Sequence, residues 1–446
     1  MLPAHFISRI KAQLGDESDA FLAALETPSP VSIRVNPLKP TSALPEGENI
    51  PWCSFGRYLK ERPSFTLDPS FHGGAYYVQE ASSMFISEIL NQQTSLDQDY
   101  TVLDLCAAPG GKTTLLAGQL SPNSLIIANE IVPKRAGQLM ENVIKWGSAN
   151  VLVTQNDPKD FSRLNEVFDI MVIDAPCSGE GMFRKDPNAI TEWTDHAAAF
   201  CSNRQEEILE SILPSLKPGG LLIYSTCTFS QEENENIVKY LIEKQNFNPI
   251  NIKINPDWGI VESNPAGFHF YPHKVKGEGF FVCCLRKSGD MEETNYQRRY
   301  REKPLPADSY KDWFSPIEGA KFILFNELSG IIARNERAAS IFDQFNRQLR
   351  FKRSGLLLGK MAGKDFIPDH ELALSGLVAS QVPKIEVDKS MALNFLKKEN
   401  FDLSDVPKGW CLITYEGLAL GWVKSLGNRV NNYYPSDWRI RMRLDQ

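Results

Sequence analysis

The sequence contains no apolar run approaching about 18 residues, which excludes an ordinary membrane-spanning helix. Histidine is scarce: six residues, dispersed, so no metal constellation is expected. The eight cysteines include no CxxC pair, which argues against zinc ribbons and a disulfide framework. Reduced thiols point to a cytoplasmic compartment. The segment Met1–Gly15 carries Arg9 and Lys11 but no long apolar core and no small-residue cleavage site, so no signal peptide is expected. Positive charge is not in excess. Lys and Arg total 48 against 55 Asp and Glu, a net charge of −7, whereas nucleic-acid binding usually shows a basic footprint. Charge can be segregated, however: Lys424, Arg429, Arg439, Arg441 and Arg443 stand against Asp437 alone near the end of the chain. Charge by itself leaves a local basic surface and a scattered, solvated one equally open. No internal repeat is evident, and a monomer is the default expectation.

What is present is ordinary globular composition, 42% hydrophobic and 23% charged, over 446 residues, enough for two or three domains. Between Tyr100 and Arg286 short β-rich runs alternate with helical patterns. Strands are expected at Thr101–Leu105, Leu125–Asn129, Val151–Thr154, Phe168–Asp174 and Leu221–Ser225, with helices at Thr113–Leu120, Pro133–Trp146, Ala197–Leu213 and Glu232–Lys244. This alternation implies an α/β fold with a doubly wound, Rossmann-like parallel sheet. Lys276–Leu285 reads as a closing hairpin strand with Gly277 and Gly279 at its turn. The boundaries expected are an N-terminal extension over 1–80, Pro-rich and helical only at its start, a catalytic domain over 81–287, and a charged linker over 288–303. An intermediate domain over 304–370 and a smaller α+β module over 371–446 follow.

The sharpest signal is VLDLCAAPGGKTT at Val102–Thr114. A strand runs into Pro109-Gly110-Gly111, and a helix opens. Glycine lets backbone approach a ligand, and a helix N-terminus presents free N–H groups. A phosphate-binding P-loop would need a glycine five residues before Gly111, where Cys106 stands. The dinucleotide fingerprint GxGxxG also fails. An S-adenosylmethionine site remains, since that ligand carries no phosphate. Glu130, ending the second strand, is placed to grip a ribose hydroxyl pair. Asp157, after the third strand, either accepts from an adenine amino group or is a plain loop carboxylate before Pro158.

Cys177, in DAPCSGEG, and Cys227, in STCTF, each follow a strand within a polar, turn-forming loop. In a doubly wound sheet such positions face the ligand crevice. Cys106, Cys201, Cys283, Cys284 and Cys411 read instead as buried small hydrophobes. Methylation of cytosine at C5 would employ thiols. C5 is a poor nucleophile until a thiolate adds at C6, and the thiolate is the reactive form. A helix opening near Gln231 would lend its N-terminus to Cys227. Addition also needs a proton or strong hydrogen bond at N3, for which Asp174 is the nearest carboxyl group.

At these residues the chain resembles the Sun-type family of RNA (cytosine-5) methyltransferases. The matching segments are DLCAAPGGKTT, the Asn129–Glu130 pair, DAPCSGEGMFRKDP and STCTFSQEENE, joined by SIRVNPLK, YYVQEASSM and YPHKVKGEGFF. They span about the first 290 residues. The resemblance implies that Cys227 forms the covalent adduct and that Cys177 assists release of the product. It implies that S-adenosylmethionine is held by Cys106, Ala107, Ala108, Pro109, Gly110, Gly111 and Lys112, with Glu130, Asp157 and Asp174. It implies an RNA-binding role for the N-terminal extension and a substrate cytidine in ribosomal RNA, the 16S species. Transfer RNA, or an inactive ribosome-assembly factor, are the alternatives. GWVKSLGNRVNNYYPSDWRIRM at Gly421–Met442 resembles a terminal PUA-like RNA-binding module. Its aromatics, Trp422, Tyr433, Tyr434 and Trp438, interleave with Lys424, Arg429 and Arg439. They either stack on bases or fill a small barrel core.

Overall fold

The computed structural model describes residues 2–290, 300–317, 319–399, 403 and 406–442. The middle of the expected linker, 291–299, and Arg443 lie outside them. Two helices, Ala4–Leu14 and Ser18–Leu25, open the chain. They are followed by a sheet that the Pro-rich sequence did not announce. Its strands are β1 (Val31–Val35), β2 (Glu48–Ile50), β3 (Cys53–Leu59) and β4 (Tyr76–Val78), antiparallel in the order β2-β3-β1-β4.

The central sheet is built on β5 (Thr101–Asp104), β6 (Leu125–Asn129), β7 (Val151–Thr154), β8 (Phe168–Asp174) and β9 (Leu216–Thr226). These run parallel in the order β9-β8-β5-β6-β7. Side chains alternate across the sheet, and both faces are covered. Val102, Ile126, Val153 and Val172 enter one core, and Leu103, Ile127, Leu152 and Ile173 the other. Two-sided burial explains why these strands read as unbroken apolar runs. The helices Gly111–Gln119, Pro133–Trp146, Ala197–Ile212 and Glu235–Lys244 supply the crossovers. The last begins at Glu235 and not near Gln231, because residues 231–234 form turns. Antiparallel strands β10 (Phe247–Pro249), β11 (Val261–Glu262), β12 (Phe268–Phe270) and β13 (Phe280–Lys287) extend the β9 side.

The C-terminal region continues this sheet. After β14 (Phe322–Glu327) and β15 (Gly330–Asn335), strand β16 (Phe351–Arg353) pairs antiparallel with β7 and covers its open edge. Arg353 fastens the junction through the carbonyls of Val151 and Ser148 and the carboxylate of Glu371. Strands β17 (Leu356–Ala362) and β18 (Asp365–Pro368) complete the sheet β14-β15-β17-β18. A final sheet holds β19 (Lys384–Glu386), β20 (Gly409–Tyr415), β21 (Leu418–Ser425) and β22 (Val430–Asn432). Trp422 and Tyr434 are core residues of this region, 1% and 2% exposed, whereas Tyr433 is exposed and packs edge-on against Trp410. The structure thus divides the interleaved aromatics: two fill the interior and Tyr433 faces solvent. No described helix is long and apolar enough to cross a membrane.

Candidate active site

Strand order reverses between β5 and β8, so their carboxyl ends flank the crevice where doubly wound sheets bind ligands. A cavity of about 170 Å³ lies there, lined by Cys106–Pro109, Gly111, Lys112 and Asp174 on one side and Tyr77–Glu80 with Ser83 on the other. Gly110 caps the helix Gly111–Gln119 at φ +113°, a conformation open to glycine and strained for other residues. Arg34, on β1, locks this turn from behind. Its guanidinium donates to the carbonyls of Gly111 and Thr114 and to Gln79, and stacks on Trp146 at 4.3 Å.

Carboxylates surround the turn. Asp104 is fully buried, accepts from Thr113 Oγ1 at 2.6 Å and leaves Oδ1 without a partner. Burial raises its pKa to about 7. Glu130 is 3% exposed, accepts from the Val132 N–H at 2.9 Å and lies 3.3 Å from Arg135. Asp174, closing β8, pairs with Lys112 Nζ at 2.8 Å and accepts from Ser225 Oγ at 2.9 Å. Burial opposes the Lys112 charge, but Asp174 and Asp104 overcome it and lift the ammonium above its ordinary pKa. Asp157 is engaged locally: its side chain accepts from Lys159 N–H and caps the short helix Pro158–Arg163. The donor set suits S-adenosylmethionine. An orphaned buried oxygen on Asp104 and an acidic surround match a cationic sulfonium and α-amino group, and Glu130 directly follows β6, a position suited to a ribose.

The two loop cysteines, fifty positions apart in sequence, meet. Cys177 Sγ and Cys227 Sγ are 3.1 Å apart, and the Cys227 N–H donates to Cys177 Sγ at 3.3 Å. The register that sets this is the β8–β9 pairing, in which Asp174 stands opposite Ser225. Contact with Cys227, then burial, holds the Cys177 thiol well above its ordinary pKa, so it keeps its proton. Glu233 braces the Cys177 loop, accepting from the Ser178 N–H and hydroxyl and from Gln205; burial raises its pKa to about 7. Gly181 donates to the Cys227 carbonyl at 2.8 Å, and a Cβ there would meet that oxygen at 3.0 Å. Of the cysteines expected to be buried, Cys283, Cys284 and Cys411 are; Cys106 and Cys201 are half-buried, Cys106 because it lines the cavity.

Sequence reasoning named the turn and both thiols but missed Asp104, the wall Tyr77–Glu80, Arg34 and Glu233. Asp104 lay inside the quoted motif. The others lay inside SIRVNPLK, YYVQEASSM and STCTFSQEENE, segments separated from the turn in sequence and carrying no chemistry that assigns these residues a role.

A parallel sheet with its ligand cavity at the switch point, beside a turn without phosphate-binding signatures, defines an S-adenosylmethionine-dependent methyltransferase. Comparison narrows the class. Residues 91–286 match the family described as 16S rRNA methyltransferase RsmB/F, residues 2–81 the N-terminal domain of 16S rRNA methyltransferase RsmF, and residues 382–440 the methyltransferase RsmF PUA domain. The chain is 32% identical to ribosomal RNA small subunit methyltransferase F of Shewanella loihica, covering 98% of this chain and 95% of that protein. It is 32% identical to the protein of that name from Aeromonas salmonicida, covering 98% and 97%. A solved methyltransferase homologue of Pyrococcus horikoshii superposes with a TM-score of 0.53 at 29% identity, over 63% of this chain and 93% of that one. The chain belongs to the RsmB/F family of 16S rRNA methyltransferases.

Proposed function

We propose that this enzyme methylates C5 of a cytidine in 16S ribosomal RNA through a covalent adduct between Cys227 and C6 of the base. The observation that carries the reading is the thiol pair at 3.1 Å, set on adjacent strand ends beside the Asp174–Lys112 pair.

When bound, S-adenosylmethionine supplies the electrophilic methyl group that C5 takes up. The chain's own residues do the rest. Cys227 Sγ adds to C6 and turns C5 into an enamine-like carbon. Asp174 is already engaged as an acceptor, so Lys112, held protonated beside it, brings the positive hydrogen bond that the ring needs during addition, and Asp174 orients the exocyclic amine. Cys177 keeps its proton and stands beside the attacking sulfur. In release a solvent base takes the C5 proton, the C5–H electron pair becomes the C5=C6 bond, the S–C6 pair departs with Cys227, and Cys177 gives its proton to that sulfur. The cofactor is held by Cys106–Lys112, with Glu130 on the ribose and Asp157 toward the adenine.

A groove of about 470 Å³ shares the wall Val78–Glu80 with the cavity and is lined by Lys60, Arg62, Arg184 and Lys185 together with Glu61 and Glu278. It supports a path for the RNA strand on either side of a flipped base. The dyad is complete within one chain, which supports action as a monomer. Bisulfite mapping of RNA from cells with and without the protein tests the substrate: loss of one 16S signal is expected, and a change confined to transfer RNA would overturn it. Cys227→Ala should abolish methyl transfer from labelled cofactor; retained transfer would refute the nucleophile.

A further inference from the structure

The first helix of the chain, Ala4–Leu14, does not pack on the RNA groove. It packs on the loops that carry the two thiols. Phe6 and Ile10 share an apolar cluster with Phe21, Phe183, Phe229 and Tyr271. Phe183 follows the Cys177 loop, and Phe229 lies two residues after Cys227. The Phe21 ring meets the Phe229 ring edge-on at 4.8 Å.

At the centre of this contact is a buried carboxylate. Glu180, 0% exposed and three residues after Cys177, accepts the Phe229 N–H at 3.1 Å and the Trp193 indole N–H at 3.3 Å. One side chain therefore joins both thiol loops. Its charge is matched by Arg9, whose Nη2 lies 2.5 Å from Glu180 Oε1; among the described residues no other cation pairs with it. Gln13, one turn further along the helix, donates to the Phe229 carbonyl at 3.1 Å. The helix thus holds both backbone polar groups of Phe229, one directly and one through Glu180. A buried carboxylate deprived of its cation must move, admit water or protonate; the first two release the Phe229 N–H, and the third weakens its bond by removing the charge. Glu233 stands close enough to add repulsion.

We propose that the N-terminal helix is a clamp on the catalytic thiols and that Arg9 is a positioning residue, setting the approach of Cys227 to Cys177 through Glu180. This rests on the covalent reading above. It assigns the start of the chain a part in the chemistry, beyond any grip on RNA.

The test uses the full chain and measures kcat, KM for RNA, cofactor affinity and the rate of Cys227 alkylation by iodoacetamide. Arg9→Met should lower kcat roughly tenfold to 100-fold, as misplacement of reacting atoms does, with KM for RNA and cofactor affinity unchanged and the alkylation rate altered. Arg9→Lys should recover part of the loss. Adding Glu180→Gln to Arg9→Met should also recover part, since it removes the unmatched charge. If Arg9→Met does not fold, Gln13→Ala, which frees only the Phe229 carbonyl, should show the same pattern more weakly. A raised KM for RNA with unchanged kcat would overturn the proposal and make Arg9 an RNA contact. A double variant no better than Arg9→Met would overturn the charge-matching device. Failure of the covalent reading looks different: Cys227→Ala would still methylate.

Discussion

Two thiols in contact have different surroundings, and the proposed division of duties follows that difference. Cys177 accepts the Cys227 N–H, touches the other sulfur and stays protonated; Cys227 sits at the strand end with its carbonyl held by Gly181. On the proposed mechanism, replacing Cys177 by Ala removes the proton donor to the departing sulfur and leaves the nucleophile intact. A protein–RNA adduct that survives denaturation is expected on a gel; its absence would remove Cys177 from product release. Lys112 also owes its state to its surroundings. It is the one side chain of the Gly-rich turn that can offer a positive hydrogen bond, and Asp174 keeps it charged. Lys112→Met should lower kcat by about 100-fold or more, the usual range for loss of an acid–base group, while a fluorescence titration at saturating cofactor shows a binding loss much smaller than the loss in kcat. Full turnover in that variant would reassign the pair.

At the scale of elements, the turn and the last sheet respond to substitution for different reasons. Gly110 at φ +113° admits no side chain without strain of about 1–3 kcal/mol. An added Cβ would also press on Leu139 at 3.3 Å. Gly110→Ala should weaken cofactor binding about tenfold, the equivalent of about 1.4 kcal/mol, measurable by calorimetry. In the last sheet, Trp422 is buried and donates its indole N–H to the Asp369 carbonyl at 2.7 Å. Trp422→Ala should cost about 3–5 kcal/mol of stability in denaturant unfolding. The exposed Tyr433→Ala should cost within about 0.5 kcal/mol. Equal losses would contradict the division of these aromatics. The sequence could not make that division. Both residues lie in one aromatic–basic segment, and which face each presents depends on β21 and on what covers it. The central strands were legible because burial on both faces writes an unbroken apolar run. Half of the N-terminal sheet was not, because β2 and β4 are three residues each, too short for an alternation to show; VSIRV at β1 does alternate but stands alone among prolines.

Across the whole molecule, the N-terminal extension, the catalytic sheet and the C-terminal region interlock. β16 closes the sheet edge, and the segment around His370 packs on the helix Pro133–Trp146. His370 is half-buried there against Tyr434 and Trp438, its two ring nitrogens shielded from solvent and neither hydrogen-bonded. Burial, then the charges of Lys145 and Lys39, push its pKa down to about 3. In the unfolded chain the ring titrates near about 6.5. Protons therefore bind the unfolded state first, and stability falls as pH drops from about 6.5 toward 3, by at most about 1.4 kcal/mol per pH unit. His370→Leu should flatten that slope in urea melts between pH 6.5 and 4; an unchanged slope would show that the imidazole is solvated.

The sequence by itself determined the class of chemistry. The strand–turn–helix with Gly110 and Gly111, the absence of phosphate motifs and the two loop cysteines are local patterns, and backbone conformation and strand burial are written locally. Only the tertiary structure decided that Cys177 and Cys227 touch, that Lys112 pairs with Asp174, and that Arg9 reaches Glu180 from 171 positions away. Those facts follow from strand register and from which helix covers which loop. Both are set by the joint burial of many distant residues, and no single segment contains them.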